Sequence, residues 1–243
     1  MRMDAVRKAW SDLPLINLEG LLRGRLPLIL APHPDDETLG CGGLIAQCCA
    51  AGMPPHVAIM TDGSHSHPNS KTPSPDRIRH MREEEARTAL HLLGLPPGQT
   101  WFLGHEDNDD LPIAGPAFQF AARRLSGICE THGCQVIIAP WRMDGQQDHE
   151  ATATLAEHVA LRDDIDLIFY PINGWSMEDS QQVDELQPRG WRLDISGEVA
   201  LKEKAIMTHA SQYAGLITDD CEHIVCQQLM AAARRPVEVY LAA

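Results

Sequence analysis

What this 243-residue chain lacks narrows its function before any motif is read. Lys and Arg number 20 against 34 Asp and Glu, a net charge of −14, and no Lys/Arg-rich block occurs. That excludes the basic footprint with which proteins hold nucleic acid or anionic membrane. No apolar run approaches the about 20 residues of a membrane-spanning helix. Met1 to Gly20 carries Asp4, Lys8, Asp12 and Glu19 where a signal peptide has its apolar core. A cytoplasmic protein without a membrane span is expected. Gly-x-Ser-x-Gly is absent, and with it the nucleophile elbow of serine hydrolases. Cys-x-x-Cys is absent too. The seven cysteines (Cys41, Cys48, Cys49, Cys129, Cys134, Cys221, Cys226) are an odd number in a chain too long to need a disulfide scaffold. We expect reduced, mostly buried thiols.

What is present suits one α/β domain spanning residues 1–243, with 44% hydrophobic residues to fill its core. Apolar strand runs alternate with helical patterns. Strands are predicted at Leu26–Ala31, His56–Met60, Thr100–Leu103, Gln135–Ala139 and Asp166–Tyr170. Helices are predicted at Glu37–Ala51, Arg77–Leu93, Pro116–His132 and His149–Leu161. The alternation predicts a single doubly wound, mostly parallel, Rossmann-like sheet with helices on both faces. A smaller, irregular C-terminal part follows, with an edge strand at Trp191–Ile195, helices at Glu198–Ser211 and Thr218–Ala233, and a last strand at Val237–Leu241. Ser64 to Pro75 is a polar loop long enough to suggest function, and its His65 and His67 read as part of a solvated loop rather than a second metal site.

The most informative stretch is Ala31-Pro32-His33-Pro34-Asp35-Asp36-Glu37-Thr38-Leu39-Gly40-Cys41-Gly42-Gly43, a turn between the first strand and its helix. A neutral imidazole and a carboxylate on one turn, His33 and Asp36, can share a divalent metal. Asp35, which cannot easily face the same metal from the adjacent position, is left to face water as a general base. Asp36 read alone is also a plausible first-turn helix acid. Gly40-Cys41-Gly42-Gly43-Leu44-Ile45 departs from the dinucleotide fingerprint at Ile45 and lies past the strand end, so a nicotinamide enzyme is not expected.

His33-Pro34-Asp35-Asp36-Glu37, with Leu39-Gly40 and Gly42-Gly43, closely resembles the signature of the PIG-L/LmbE-like family of metal-dependent N-deacetylases. The resemblance implies a third metal ligand from a histidine preceded by aspartate after a later strand. Asp148-His149 fits that slot. The implied ligands are then His33, Asp36 and His149 around one Zn2+. Fe2+ shares such a donor set, but the His-x-x-Asp spacing favours zinc over the His-x-Asp of iron oxygenases. The implied reaction is hydrolysis of an N-acetyl group from a small, sugar-containing substrate. Many relatives carry a histidine three positions before the third ligand, where this chain has Gln146. A glutamine amide can donate to an oxyanion but cannot titrate. The resemblance further points to Arg82, Asp107 and His209 as substrate-binding residues, and Glu37 reads as a support that hydrogen bonds the turn. Gln146 keeps two other readings in view: a metal- or small-molecule-binding module with little activity, and an amidase acting on another conjugate. The sequence leaves homo-oligomerisation open.

Overall fold

The computed structural model describes residues 1–70, 72–107, 115–185, 187–213, 217 and 227–243. In chain order its elements are α1 (Met3–Asp12), β1 (Leu15–Ile16), α2 (Leu18–Leu22), β2 (Leu26–Ala31), α3 (Asp36–Ala50), β3 (His56–Thr61), α4 (Pro75–Leu92), β4 (Thr100–His105), α5 (Pro116–His132), β5 (Cys134–Pro140), α6 (Gln147–Asp163), β6 (Asp166–Tyr170), β7 (Gly190–Asp194), α7 (Val199–Ile206), α8 (Ala210–Tyr213), α9 (Gln227–Ala233) and β8 (Val237–Ala242). The strands form one sheet in the order β1-β7-β8-β6-β5-β2-β3-β4. Among the described residues only β8 runs against its neighbours, pairing antiparallel with both β6 and β7. The expected α/β, mostly parallel sheet is therefore observed.

The central strands are apolar along their whole length because both faces are covered. Leu28 and Leu30 of β2 pack into a core under α1, α5 and α6. Ile29 and Ala31, one residue out of phase, pack into a second core under α3, α4 and α7. Helices leaving β2 and β3 thus cover one face, and those leaving β4 and β5 cover the other. β2 pairs with β3 on one side and β5 on the other. The chain changes winding direction between β2 and β5, and such a switch point opens a crevice at the strands' carboxyl ends.

Glycines let α3 lie close to its neighbours. A Cβ on Gly40 would sit 2.3 Å from the Tyr170 ring, and one on Gly43 would sit 2.5 Å from Ile195. Mid-helix glycine costs about 1 kcal/mol relative to alanine, offset here by close packing on β6 and on the residue after β7. Glu238 of β8 is buried under the same helix. It accepts from Lys202 Nζ (2.6 Å), Gly43 N (2.7 Å), Leu44 N (3.0 Å) and Tyr240 OH (2.8 Å).

Some expectations change. Trp191–Ile195 does not form the sheet edge, because the two-residue β1 pairs outside β7. The helix expected over Glu198–Ser211 is broken at 207–209 into α7 and α8. Of the Thr218–Ala233 helix, residues 218–226 lie outside the described residues, as do Cys221 and Cys226. The other five cysteines are free thiols. The N-terminal α1, β1 and α2 had no sequence expectation. α1 docks through Met3, Val6 and Trp10, one helical face, with Trp10 edge-on to Trp141 and Trp175. No helix among the described residues is long and apolar enough to cross a membrane.

Removing one partner of the Lys202–Glu238 pair leaves a buried charge uncompensated, a loss of about 3–5 kcal/mol. Glu238→Ala is expected to lower unfolding stability by that amount in urea denaturation. A loss below about 1 kcal/mol would show the pair to be incidental to stability.

Candidate metal centre

The crevice is built by the turns after β2 and β5. After β2, Asp35 occupies a backbone conformation with φ 149° and ψ −26°, a region that non-glycine residues rarely adopt and that is held only when the surroundings impose it. The surroundings are identifiable. The Asp35 N–H donates to Glu37 Oε2 at 3.0 Å, and its carbonyl accepts from Thr38 N and Leu39 N. Arg82 Nη2 donates to Pro34 O at 3.0 Å and to Asp35 Oδ1 at 3.2 Å, while Nη1 reaches Gly63 O at 3.3 Å. As α3 begins, Asp36 turns back, its Oδ2 accepting from His33 N at 3.0 Å.

After β5 the chain turns over Asp144, whose carboxylate is fully buried. It accepts from the backbone N–H groups of Ile172, Asn173 and Gly174, and from His149 Nδ1 at 2.8 Å. This fixes the ring with Nε2 turned toward the β2 turn, 3.3 Å from Asp36 Oδ2. On the other side His33 Nδ1 lies 3.2 Å from the same oxygen, and His33 Nε2 lies 3.0 Å from Asp148 Oδ2. Each imidazole therefore offers one nitrogen inward and holds a carboxylate on the other, the arrangement that orients metal-ligating histidines.

The donor set fits a divalent cation. One atom from each of His33, Asp36 and His149 lies within 4.8 Å of the others, and among the described residues this is the one such group. A tetrahedral zinc site with bonds of about 2.0–2.1 Å sets its ligand atoms about 3.3 Å apart, which matches the 3.2 and 3.3 Å spacings from Asp36 Oδ2. Electrostatics agree. Burial disfavours charge on both imidazoles, yet Asp148 and Asp36 push His33 up to about 9. Burial is likewise overcome at His149, where Asp36 and Asp144 push it up to about 10. Burial alone would raise Asp36, but His149 and His33 hold it well below the usual carboxylate range. The cluster collects positive charge, and protons supply it when no cation does.

Around this group lies a cavity of about 500 Å³, whose lining includes Asp35, Arg82, Asp107, Gln146, Asn173 and Gln212. Burial pushes Asp35 up to about 7 against the pull of Arg82. Burial, then the charge of Asp35, pushes Glu37 up to about 8, so it is protonated at neutral pH. Arg82 is buried and committed to the Asp35 turn. Asp107 clamps the loop after β3, its two oxygens accepting from Gly63 N and His65 N at 2.9 Å each. That loop is only partly solvated: His65 is exposed, but Ser64 and His67 are buried. Asp109 and Asp110 lie outside the described residues. His209 is fully buried behind the α3 turn, with Nε2 3.4 Å from Thr38 Oγ1 and 3.6 Å from Glu37 Oε1. Burial, then Arg82, pulls it down to about 3, so it is neutral. Gln146 precedes α6 at the N-cap position without a side-chain cap bond, its Oε1 accepting from Asn173 Nδ2 at 2.9 Å and its Nε2 lying 3.4 Å from His33 Nε2.

Sequence reasoning gave no role to Asp144 or Asn173, and took Asp148 only as the marker of the His149 slot, not as the partner of His33. The two aspartates had a signal, since both lie within five residues of His149. Asn173 had none, because it arrives from the end of β6 and only the strand order brings it there.

Because both histidines must lose their protons to become ligands, metal binding should release protons and strengthen as pH rises from 7 toward 10. Calorimetric zinc titrations in buffers of different ionisation enthalpy should read that release. Equal heats in all buffers would contradict it. Asp148→Asn should weaken metal affinity about 10–100-fold by loosening His33, measured by chelator competition.

Residues 28–160 match the family model described as PIG-L, GlcNAc-PI de-N-acetylase. The chain is 30% identical over 234 residues to 2'-N-acetylparomamine deacetylase of Streptomyces fradiae, covering 83% of this chain and 76% of that protein. Among solved structures it superposes on N,N'-diacetylchitobiose deacetylase of Pyrococcus horikoshii with TM-score 0.65 at 20% identity, covering 96% and 88% of the two chains. It also superposes on the 4-carboxy-2-hydroxymuconate hydratase of Pseudomonas putida with TM-score 0.58 at 17% identity, covering 90% and 94%. With the motif turn, the switch-point crevice and the buried His-Asp-His group in place, the chain belongs to the PIG-L family.

Proposed function

We propose that this chain is a zinc-dependent hydrolase that removes the acetyl group from an N-acetylated amino sugar, working as one domain. The carrying observation is the convergence of His33, Asp36 and His149 beside a buried, cavity-facing Asp35 at the carboxyl edge of the sheet. The Streptomyces relative, a 2'-N-acetylparomamine deacetylase, supports the substrate class.

His33, Asp36 and His149 would hold the zinc, which supplies Lewis acidity toward water and the amide carbonyl. Asp35 takes a proton from the attacking water, its carboxylate held at the cavity by Arg82 and by its own strained backbone. It then returns that proton to the departing nitrogen, so that water and amide become acetate and free amine. Gln146 lines the same cavity and donates an amide hydrogen to the oxygen of the tetrahedral intermediate. Arg82 and Asp107 line the wall against which substrate hydroxyls lie. His209, fully buried behind Glu37 and Thr38, braces the start of α3 rather than touching substrate.

The test is acetate release from N-acetylated amino sugars by zinc-loaded protein. Asp35→Asn should lower kcat about 10²–10⁴-fold with metal content unchanged. Gln146→Ala should lower it about 10²–10³-fold. A fully metallated protein that releases no acetate from any such substrate would overturn the reading.

A further inference from the structure

We propose that Asn173 is a positioning residue for Gln146, deciding which end of that amide faces the reacting carbonyl; the inference rests on the deacetylase reading above. A glutamine side chain ends in an oxygen and an NH2 group of nearly equal size. The NH2 stabilises a developing oxyanion, whereas the oxygen would repel it. Nothing in glutamine itself selects between them, and a histidine at this position would not pose the choice in the same form. Here the selection comes from outside. Asn173 Nδ2 donates to Gln146 Oε1 at 2.9 Å, which draws the oxygen toward β6 and leaves Nε2 on the side of His33. Both residues line the cavity.

Asn173 is itself held. Its N–H donates to Asp144 Oδ2 at 2.9 Å, and its carbonyl accepts from Ser176 N and Met177 N. Asp144 is also the carboxylate on His149 Nδ1. One buried aspartate thus fixes a metal-ligating imidazole directly and, through Asn173, the amide beside it. Asn173 lies beyond residues 28–160, the segment that matches the family model.

The experiment compares Asn173→Ala and Asn173→Asp in the parent and in Gln146→Ala, reading kcat, KM, zinc content and Tm on an N-acetyl amino sugar the parent hydrolyses. Aspartate keeps the shape but only accepts, so it should draw the Gln146 NH2 to itself and turn the carbonyl toward the substrate. Asn173→Asp is expected to lose kcat as heavily as Gln146→Ala, about 10²–10³-fold, with KM and zinc content little changed. Asn173→Ala should fall between this and the parent. In the Gln146→Ala background Asn173→Asp should cost nothing further, because a cycle of coupled residues is non-additive. A readout independent of turnover is the side-chain amide NMR signal of Gln146, identified by its loss in Gln146→Ala and expected to shift in Asn173→Asp. Multiplied losses in the double variant, parent-like turnover in Asn173→Asp, or full activity in Gln146→Ala would each overturn the proposal and leave the deacetylase reading standing. Absence of acetate release from the parent itself would instead remove that reading, and this inference with it.

Discussion

A carboxylate taken fully out of water persists only when its lone pairs are met by donors. Asp144 satisfies that condition with three consecutive backbone N–H groups, Ile172 to Gly174, and the Nδ1 of His149. The consequences run in both directions from the carboxylate. Toward the sheet, the turn after β5 and the turn after β6 become one body, since the same side chain bonds to both. Toward the cavity, the imidazole of His149 loses its rotational freedom. Asp148 does the same for His33 from the other flank, and Asp36 lies between the two rings. The geometry of the His33-Asp36-His149 group is therefore set by Asp144 and Asp148 as much as by the three residues themselves.

That design concentrates negative charge where burial makes charge costly. Asp35, Asp36, Asp144 and Asp148 are all buried within the same crevice, with Arg82 as the guanidinium beside them. Such a cluster needs positive charge from somewhere. Two protonated imidazoles provide it in the absence of metal, which is why His33 and His149 are raised despite complete burial. A divalent cation would replace those protons without adding net charge. Glu37 shows the other available response. With no cation of its own at close range, it is pushed up to about 8 and becomes a neutral hydrogen-bonding brace for the strained Asp35 turn.

Much of this was legible in the sequence because it is local. The strand at Leu26–Ala31, the helix at Pro116–His132 and the strand at Asp166–Tyr170 match the structure end to end, since apolar runs and flanking breakers mark them directly. The turn from His33 to Glu37 stood out in the sequence because an imidazole and three carboxylates lie within five residues. What the sequence concealed depends on contacts distant along the chain. Trp191–Ile195 has edge-like composition, yet the two-residue β1 covers it from the other end of the chain. Arg82 is followed by Glu83, Glu84 and Glu85 on an amphipathic helix, so its sequence surroundings give no sign of burial. Only the meeting of α4 with the β2 and β3 turns buries it. Asn173 has no local mark and acquires its role from the adjacency of β5 and β6.

The fold leaves the reaction undecided, because a hydratase shares it, so the chemistry must be argued from the side chains that face the cavity. On the deacetylase reading the decisive one is Gln146. An amide can stabilise negative charge but cannot deliver a proton. Two proton movements are nevertheless required, one away from water and one onto the leaving nitrogen. A residue at position 146 that cannot titrate leaves both to Asp35. That carboxyl must then be comfortable in either protonation state. Burial supplies one half of the balance by favouring the neutral acid, and Arg82 supplies the other by favouring the carboxylate, bringing the group up to about 7. An unusual backbone conformation at φ 149° keeps it at the cavity rather than capping α3, where its neighbours would have tied up its oxygens. Strain, burial and one guanidinium thus act together on a single side chain, and they make it suited to carry the proton both ways.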